Sequence, residues 1–277
     1  MLLDTHLHLV NRDLISYPWL GDAPALDQNW TYEAYAEVAK RVGITRCLHM
    51  EVDVAEEDIA RETEMVRTLK AREDNMVCGA IASGRPEHDG FAAYLESLDT
   101  DTVKGIRRVL HVVPDEVSQS PLFRENIKSL ESRNLPFDIC VLEKQLPLAC
   151  ALADAAPNVS FVLDHCGVPE IAGGDYQTWA DKISDLAQRQ NVNAKISGII
   201  AYTGGGFTLE TLRPYVEHVI SVFGWDRVVW GSDSPVCTLA ANLETWVAAT
   251  YALTQGCSAN ERAKLFHENA TRIWNIT

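Results

Sequence analysis

Positive charge is in short supply in this chain: 24 Lys and Arg stand against 39 Asp and Glu, a formal net charge of −15. Such a balance lacks the electrostatic footprint of a nucleic-acid binder and is repelled by anionic membrane surfaces. Long apolar runs are missing too, and the N-terminus enters a strand pattern without a basic segment leading into an apolar one. Neither a membrane span nor a secretion signal is therefore expected, and the chain reads as cytoplasmic. The seven cysteines are odd in number and scattered, and they include no Cys-x-x-Cys pair. They read as reduced, mostly buried thiols and exclude a disulfide framework or a structural zinc site. No Gly-x-Gly-x-x-Gly follows a strand, so nothing points to a dinucleotide. Low-complexity segments, long linkers and sequence repeats are also lacking.

What is present is an alternation of apolar, β-branched runs with amphipathic helical ones, the pattern of βαβ units and a parallel sheet. Strand patterns fall at 2–8, 44–52, 76–83, 103–110, 136–142, 160–166, 192–200 and 227–232. Eight units in 277 residues favour an α/β fold of the closed (β/α)8 TIM-like barrel type, one domain over 1–277, rather than an open doubly wound sheet.

Helix ends are marked between the strands. Thr31 suits an N-cap and Gly43 a stop. Ser120-Pro121 opens a helix expected to run through Ser132. Further helices are expected from Thr208 to Phe223 and from Ala241 to Gln255, and Ser258-Ala259-Asn260-Glu261 has the form of a capping box.

In such a barrel the C-terminal ends of the strands and the loops after them build the active site. In Asp4-Thr5-His6-Leu7-His8, alternation puts Asp4, His6 and His8 on one face, so two imidazoles stand together at a strand end. Arg107, Arg108 and His111 end the fourth strand pattern, and His165 ends the sixth. Asp233 closes the eighth, next to the first once the barrel closes. A carboxylate beside imidazoles can take a proton from water or join them around a divalent metal. Arg107 and Arg108 alternate faces, so at most one points into the mouth. Trp19, Trp30 and Tyr202 fall in loops over the mouth, where they either stack on a sugar face or roof the core. His49, His88, His218 and His267 read as structural.

The segments Asp4-Thr5-His6-Leu7-His8, Tyr17-Pro18-Trp19-Leu20, Lys104-Gly105-Ile106-Arg107, Leu163-Asp164-His165-Cys166-Gly167, Lys195-Ile196-Ser197-Gly198 and Trp230-Gly231-Ser232-Asp233-Ser234-Pro235, in this order, resemble the amidohydrolase superfamily. Within it they are similar to the lactonase group around L-fuconolactonase, L-rhamnonolactonase and 2-pyrone-4,6-dicarboxylate lactonase. The resemblance implies a polar centre of His6, His8, His165 and Asp233. The superfamily's binuclear members also place a Lys or Glu on strand four and a His on strand five. Here strand five has no His, and Lys104 sits at the start of its strand. The implied site therefore holds a single divalent ion, zinc being best suited, or none. Asp4 then reads as a partner orienting an imidazole from below.

The resemblance implies a hydrolase of small sugar-acid lactones, such as L-fuconolactone. Asp233 is the expected general base, His165 and Arg107 or a metal polarise the carbonyl, and Trp30, His111 and Tyr202 contact the substrate. The competing readings are a metal-dependent decarboxylase of an aromatic acid, a lactone isomerase and a non-catalytic sugar-acid binding protein. The expected partner is the small-molecule lactone, with no nucleic acid and no membrane. Sequence leaves open the oligomeric state and which lactone is used.

Overall fold

The computed structural model describes residues 1–276. Eight parallel strands pair in chain order: β1 (Leu2–Leu7), β2 (Ile44–Met50), β3 (Val77–Ser83), β4 (Val103–Val109), β5 (Phe137–Cys140), β6 (Phe161–Leu163), β7 (Val192–Ile196) and β8 (Val228–Trp230). The sheet's edges meet. Asp233 N donates to His6 O at 2.8 Å, His8 N donates to Ser234 O at 2.8 Å, and the Thr5 hydroxyl donates to Trp230 O at 2.7 Å. This is a (β/α)8 barrel, as the strand–helix alternation implied.

The helices begin and end for local reasons. Thr31 Oγ1 accepts from Ala34 N at 3.3 Å at the start of Tyr32–Arg41, and Gly43, at φ +83°, follows its end. Ser258 and Glu261 exchange reciprocal bonds of 3.2 and 2.7 Å, a complete capping box. Several boundaries differ from the sequence expectation: the strands are shorter than their patterns, and the helix expected to reach Gln255 ends at Leu253. The helix after Ser120 stops at Lys128, and the chain then turns through Glu131–Arg133 to a left-handed Asn134. The helix expected from Ala241 starts at Leu243, because Asn242 Oδ1 caps it through Thr245 N at 2.8 Å.

Apolar packing occupies both faces of the sheet. Outward side chains such as Leu2, Cys47, Ala80, Phe137 and Val228 pack against the helices. Inward ones, including Leu3, Leu48, Ile81, Val162 and Val229, cluster with Trp274 and Ile276. Trp274 lies beside Gly105, near the start of β4, so the C-terminal segment plugs the end of the barrel away from the strand C-termini. Each such fully buried aliphatic side chain is worth about 1.5–3 kcal/mol. The rigid floor leaves the opposite end free for polar chemistry.

Candidate active site

The first strand does not alternate regularly. Its pairing with β2 slips between Asp4 and Leu7, a bulge that sends Leu3 and His6 to the same side. Asp4 therefore does not orient an imidazole from below. Its carboxylate accepts from Tyr35 OH at 2.7 Å, Ser232 N at 2.7 Å and His6 N at 3.1 Å, and so ties β1 to the helix layer and to β8. Past the bulge, His6 and His8 both point inward, with their Nε2 atoms 3.1 Å apart.

His6 is flanked on both ring nitrogens: Lys195 Nζ lies 3.1 Å from Nδ1, and Arg107 Nη1 3.4 Å from Nε2. His8 Nδ1 in turn donates to the Met50 carbonyl at 3.0 Å. Burial and neighbouring cations, Lys195 at His6 and Arg107 at His8, hold both imidazoles below their ordinary values, His8 at about 3. Both are neutral at physiological pH.

Beneath them lies a buried charge network. Lys195 Nζ reaches Asp138 Oδ1 at 2.6 Å and Asp164 Oδ1 at 2.9 Å, all with no exposed side-chain surface. Burial alone would lower the Lys195 ammonium, yet Asp138 and Asp164 hold it above its usual value. Arg107 completes the network. Its Nε and Nη2 bond Glu51 Oε1 and O, each at 2.6 Å, and its Nη1 lies 3.3 Å from Asp164 Oδ2 and 3.4 Å from His6 Nε2. Arg108 instead bonds Glu87 at 2.9 Å, so Arg107 is the arginine that reaches the mouth.

His165 and Asp233 both sit just past their strands with left-handed backbones, φ +54° and +55°. For residues other than glycine that conformation costs about 1–3 kcal/mol each and concentrates at functional sites. His165 Nδ1 shares a hydrogen bond with Ser197 Oγ at 2.9 Å and stands 3.7 Å from Asp233 Oδ2. Asp233 Oδ1 is 3.4 Å from His8 Nε2, while its buried Oδ2 has no hydrogen-bond partner among the described residues. Burial pushes the Asp233 carboxyl up to about 6, and burial also lowers the His165 imidazole. Room for this contact comes from Gly198, at φ +65°: a Cβ there would lie 2.6 Å from both Asp233 Oδ2 and His165 Nδ1.

A cavity of about 300 Å³ opens above these groups, and His8, Arg107, His165 and Asp233 line its floor. That size is at the lower end for small-molecule sites. His111 and Tyr202 also line it. Tyr202 packs edge-on to His165 with centroids 6.3 Å apart. Trp30 lies elsewhere: it lines a separate groove with Asn11, Arg61 and Glu64, and its indole donates to Leu26 O at 3.0 Å. Of the three aromatics expected over the mouth, Trp19 and Tyr202 line the cavity and Trp30 does not. Two inward residues of β5 carry no imidazole and so gave no ligand signal in the sequence. Asp138 holds Lys195, and Cys140 lines the cavity with its Sγ 3.5 Å from His111 Nδ1. Alternation along Phe137–Cys140 was the available signal. The remaining histidines stand apart from the cavity. His49 pairs with Glu62 at 3.2 Å, His88 lies 3.3 Å from Glu56, and His218 bonds Ala180 O at 2.9 Å.

The donor set suits one divalent ion. Ligand atoms of His6, His165 and Asp233 lie within 4.8 Å of one another, His8 Nε2 adjoins them, and the unpartnered Asp233 oxygen offers a further lone pair. A second set of donor atoms, from Cys140, Asp164 and His165, also lies within 4.8 Å of one another, with Lys195 and Arg107 2.9 and 3.3 Å from the two oxygens of Asp164.

Fold and site together define a class, and the chain belongs to the amidohydrolase family, whose model matches residues 3–276. It is 29% identical over 233 residues to an L-fucono-1,5-lactonase of Burkholderia ambifaria, covering 78% of this chain and 80% of that protein. It is 26% identical over 239 residues to a 4-sulfomuconolactone hydrolase of Rhizobium radiobacter, covering 84% and 75%. An amidohydrolase of Burkholderia multivorans, solved with bound zinc, superposes with a TM-score of 0.91 over the whole of both chains at 21% identity.

Proposed function

We propose that this protein hydrolyses a small sugar-acid lactone to the open-chain acid. The observation that carries the reading is Asp233: a buried carboxylate with one oxygen unpartnered, at the floor of a cavity and beside a neutral imidazole. Relatives named as hydrolases of sugar and muconate lactones support the same chemistry.

A carboxyl raised to about 6 is ionised at neutral pH yet basic enough to take a proton from water. Water held by Asp233 attacks the lactone carbonyl as its proton passes to the carboxylate. The oxyanion forms beside Arg107, whose fixed charge is braced by Glu51, and beside the neutral His165, which can share a proton with it. When the tetrahedral carbon collapses, the ring C–O bond breaks and Asp233 returns its proton to the leaving alkoxide. A divalent ion held by His6, His8, His165 and Asp233 would add Lewis-acid polarisation of the carbonyl. No nucleophilic side chain is required.

The test is Asp233→Asn, assayed with a panel of aldonolactones by proton release in a weak, indicator-matched buffer. Turnover should fall by about 10²–10⁴-fold with the circular dichroism spectrum unchanged. Near-normal rates in the variant would sink the mechanism. Turnover without acid release would mark acyl migration between hydroxyls instead of hydrolysis.

A further inference from the structure

Polyhydroxylated lactones carry a hydroxyl on nearly every ring carbon, and each one loses its water when enclosed. The cavity above Asp233 offers those hydroxyls few partners. Its wall is built from Val10, Leu26, Val52, Val109, Leu142 and Val236, contributed by five separate stretches of chain. Trp19 adds only its ring, because its indole N–H is already committed to Val52 O at 2.8 Å. Polar groups are confined to the catalytic floor, to His111 and Tyr202, and to Asp53, which Arg85 and Arg108 flank at 3.6 Å each.

We infer that the cavity selects a sparsely hydroxylated lactone, one bearing an alkyl substituent or deoxygenated ring carbons, over a fully hydroxylated aldonolactone. The inference rests on the lactonase reading and moves its substrate class away from fully hydroxylated sugar lactones. The ester group lies over His165, Arg107 and Asp233, where charge develops. The rest of the ring and its substituent lie against the aliphatic wall, where burial of CH and CH₂ surface favours binding. A hydroxyl turned toward that wall loses its water without gaining a partner.

The experiment compares kcat/KM for three five-membered lactones: ribono-1,4-lactone, 2-deoxyribono-1,4-lactone and γ-caprolactone. Each value is divided by the lactone's own rate of hydroxide-catalysed opening, which removes differences in intrinsic reactivity. Efficiency should rise along the series, by about tenfold for each hydroxyl removed, as expected for an aliphatic pocket discriminating against an added hydroxyl. Val109→Thr, which adds a hydroxyl at nearly constant volume, should narrow the spread by favouring the hydroxylated members. A flat or reversed order with turnover intact overturns the inference and leaves the lactonase reading standing. If no lactone is opened, the lactonase reading fails, and dissociation constants for the same three compounds decide the inference. Tightest binding of γ-caprolactone sustains it, and any other order overturns it.

Discussion

Lys195 Nζ stands 3.1 Å from His6 Nδ1 while also holding Asp138 and Asp164, so one buried ammonium fixes an imidazole and neutralises two carboxylates. Removing it strands those charges in the barrel interior. Lys195→Met should cost about 3–5 kcal/mol in denaturant unfolding, the usual loss when one partner of a buried ion pair is deleted. Adding Asp138→Asn should restore part of that loss. A single variant as stable as the parent would contradict the network's role.

The acid limb of the reaction should report Asp233. Its carboxyl is raised to about 6 by burial, so the base is present above that pH and is lost as protonation proceeds below it. A profile of kcat/KM against pH should therefore inflect near 6 and fall roughly tenfold per pH unit below. An inflection near 4, the ordinary carboxylate range, would mean that a different group is titrating.

Gly198 is predicted to be indispensable for catalysis rather than for folding. Alanine there must adopt φ +65°, at about 1–2 kcal/mol, and its methyl would meet Asp233 and His165. Displacing either group by a fraction of an ångström should lower kcat by about 100-fold or more. The check is steady-state kinetics beside a thermal melt; full activity would show that the two groups have more freedom than this packing implies.

Arg107→Lys keeps the charge but loses the planar fork that grips Glu51 Oε1 and O at 2.6 Å each. A lysine cannot reproduce that geometry, so kcat/KM should drop by about 100-fold or more. Arg108→Lys, at a residue bonded to Glu87 away from the catalytic floor, should have a much smaller effect.

Metal content gives an independent check on the floor of the site. After incubation with zinc and dialysis, elemental analysis should find no more than one equivalent per chain, and His8→Asn should lower it. Two tightly held equivalents would require Lys195 or Arg107 to leave Asp164.

Much of this was legible from short stretches of sequence. Thr31, Gly43, Ser120 and Ser258 mark helix ends through hydrogen bonds to residues three or four positions away, which one local window contains. His6, His8, His165 and Asp233 could be brought together because parallel strands in chain order must place their C-terminal ends around one mouth. Asp4 was misplaced and Cys140 overlooked for opposite reasons. The bulge that turns Asp4 toward Tyr35 arises from pairing with β2, which no alternation rule within β1 reveals. Cys140 followed the alternation rule but lacked a side chain that suggested the chemistry.

By itself, then, the sequence determined the alternation of strands and helices and their caps, because periodicity and capping act over a few residues. Tertiary structure alone decided which arginine faces the mouth, which carboxylates Lys195 neutralises, that Trp19 rather than Trp30 roofs the cavity, and that its wall is aliphatic. Those outcomes depend on cross-strand register and on loops far apart in the chain meeting in space, where burial and pairing are set by neighbours that local sequence does not contain.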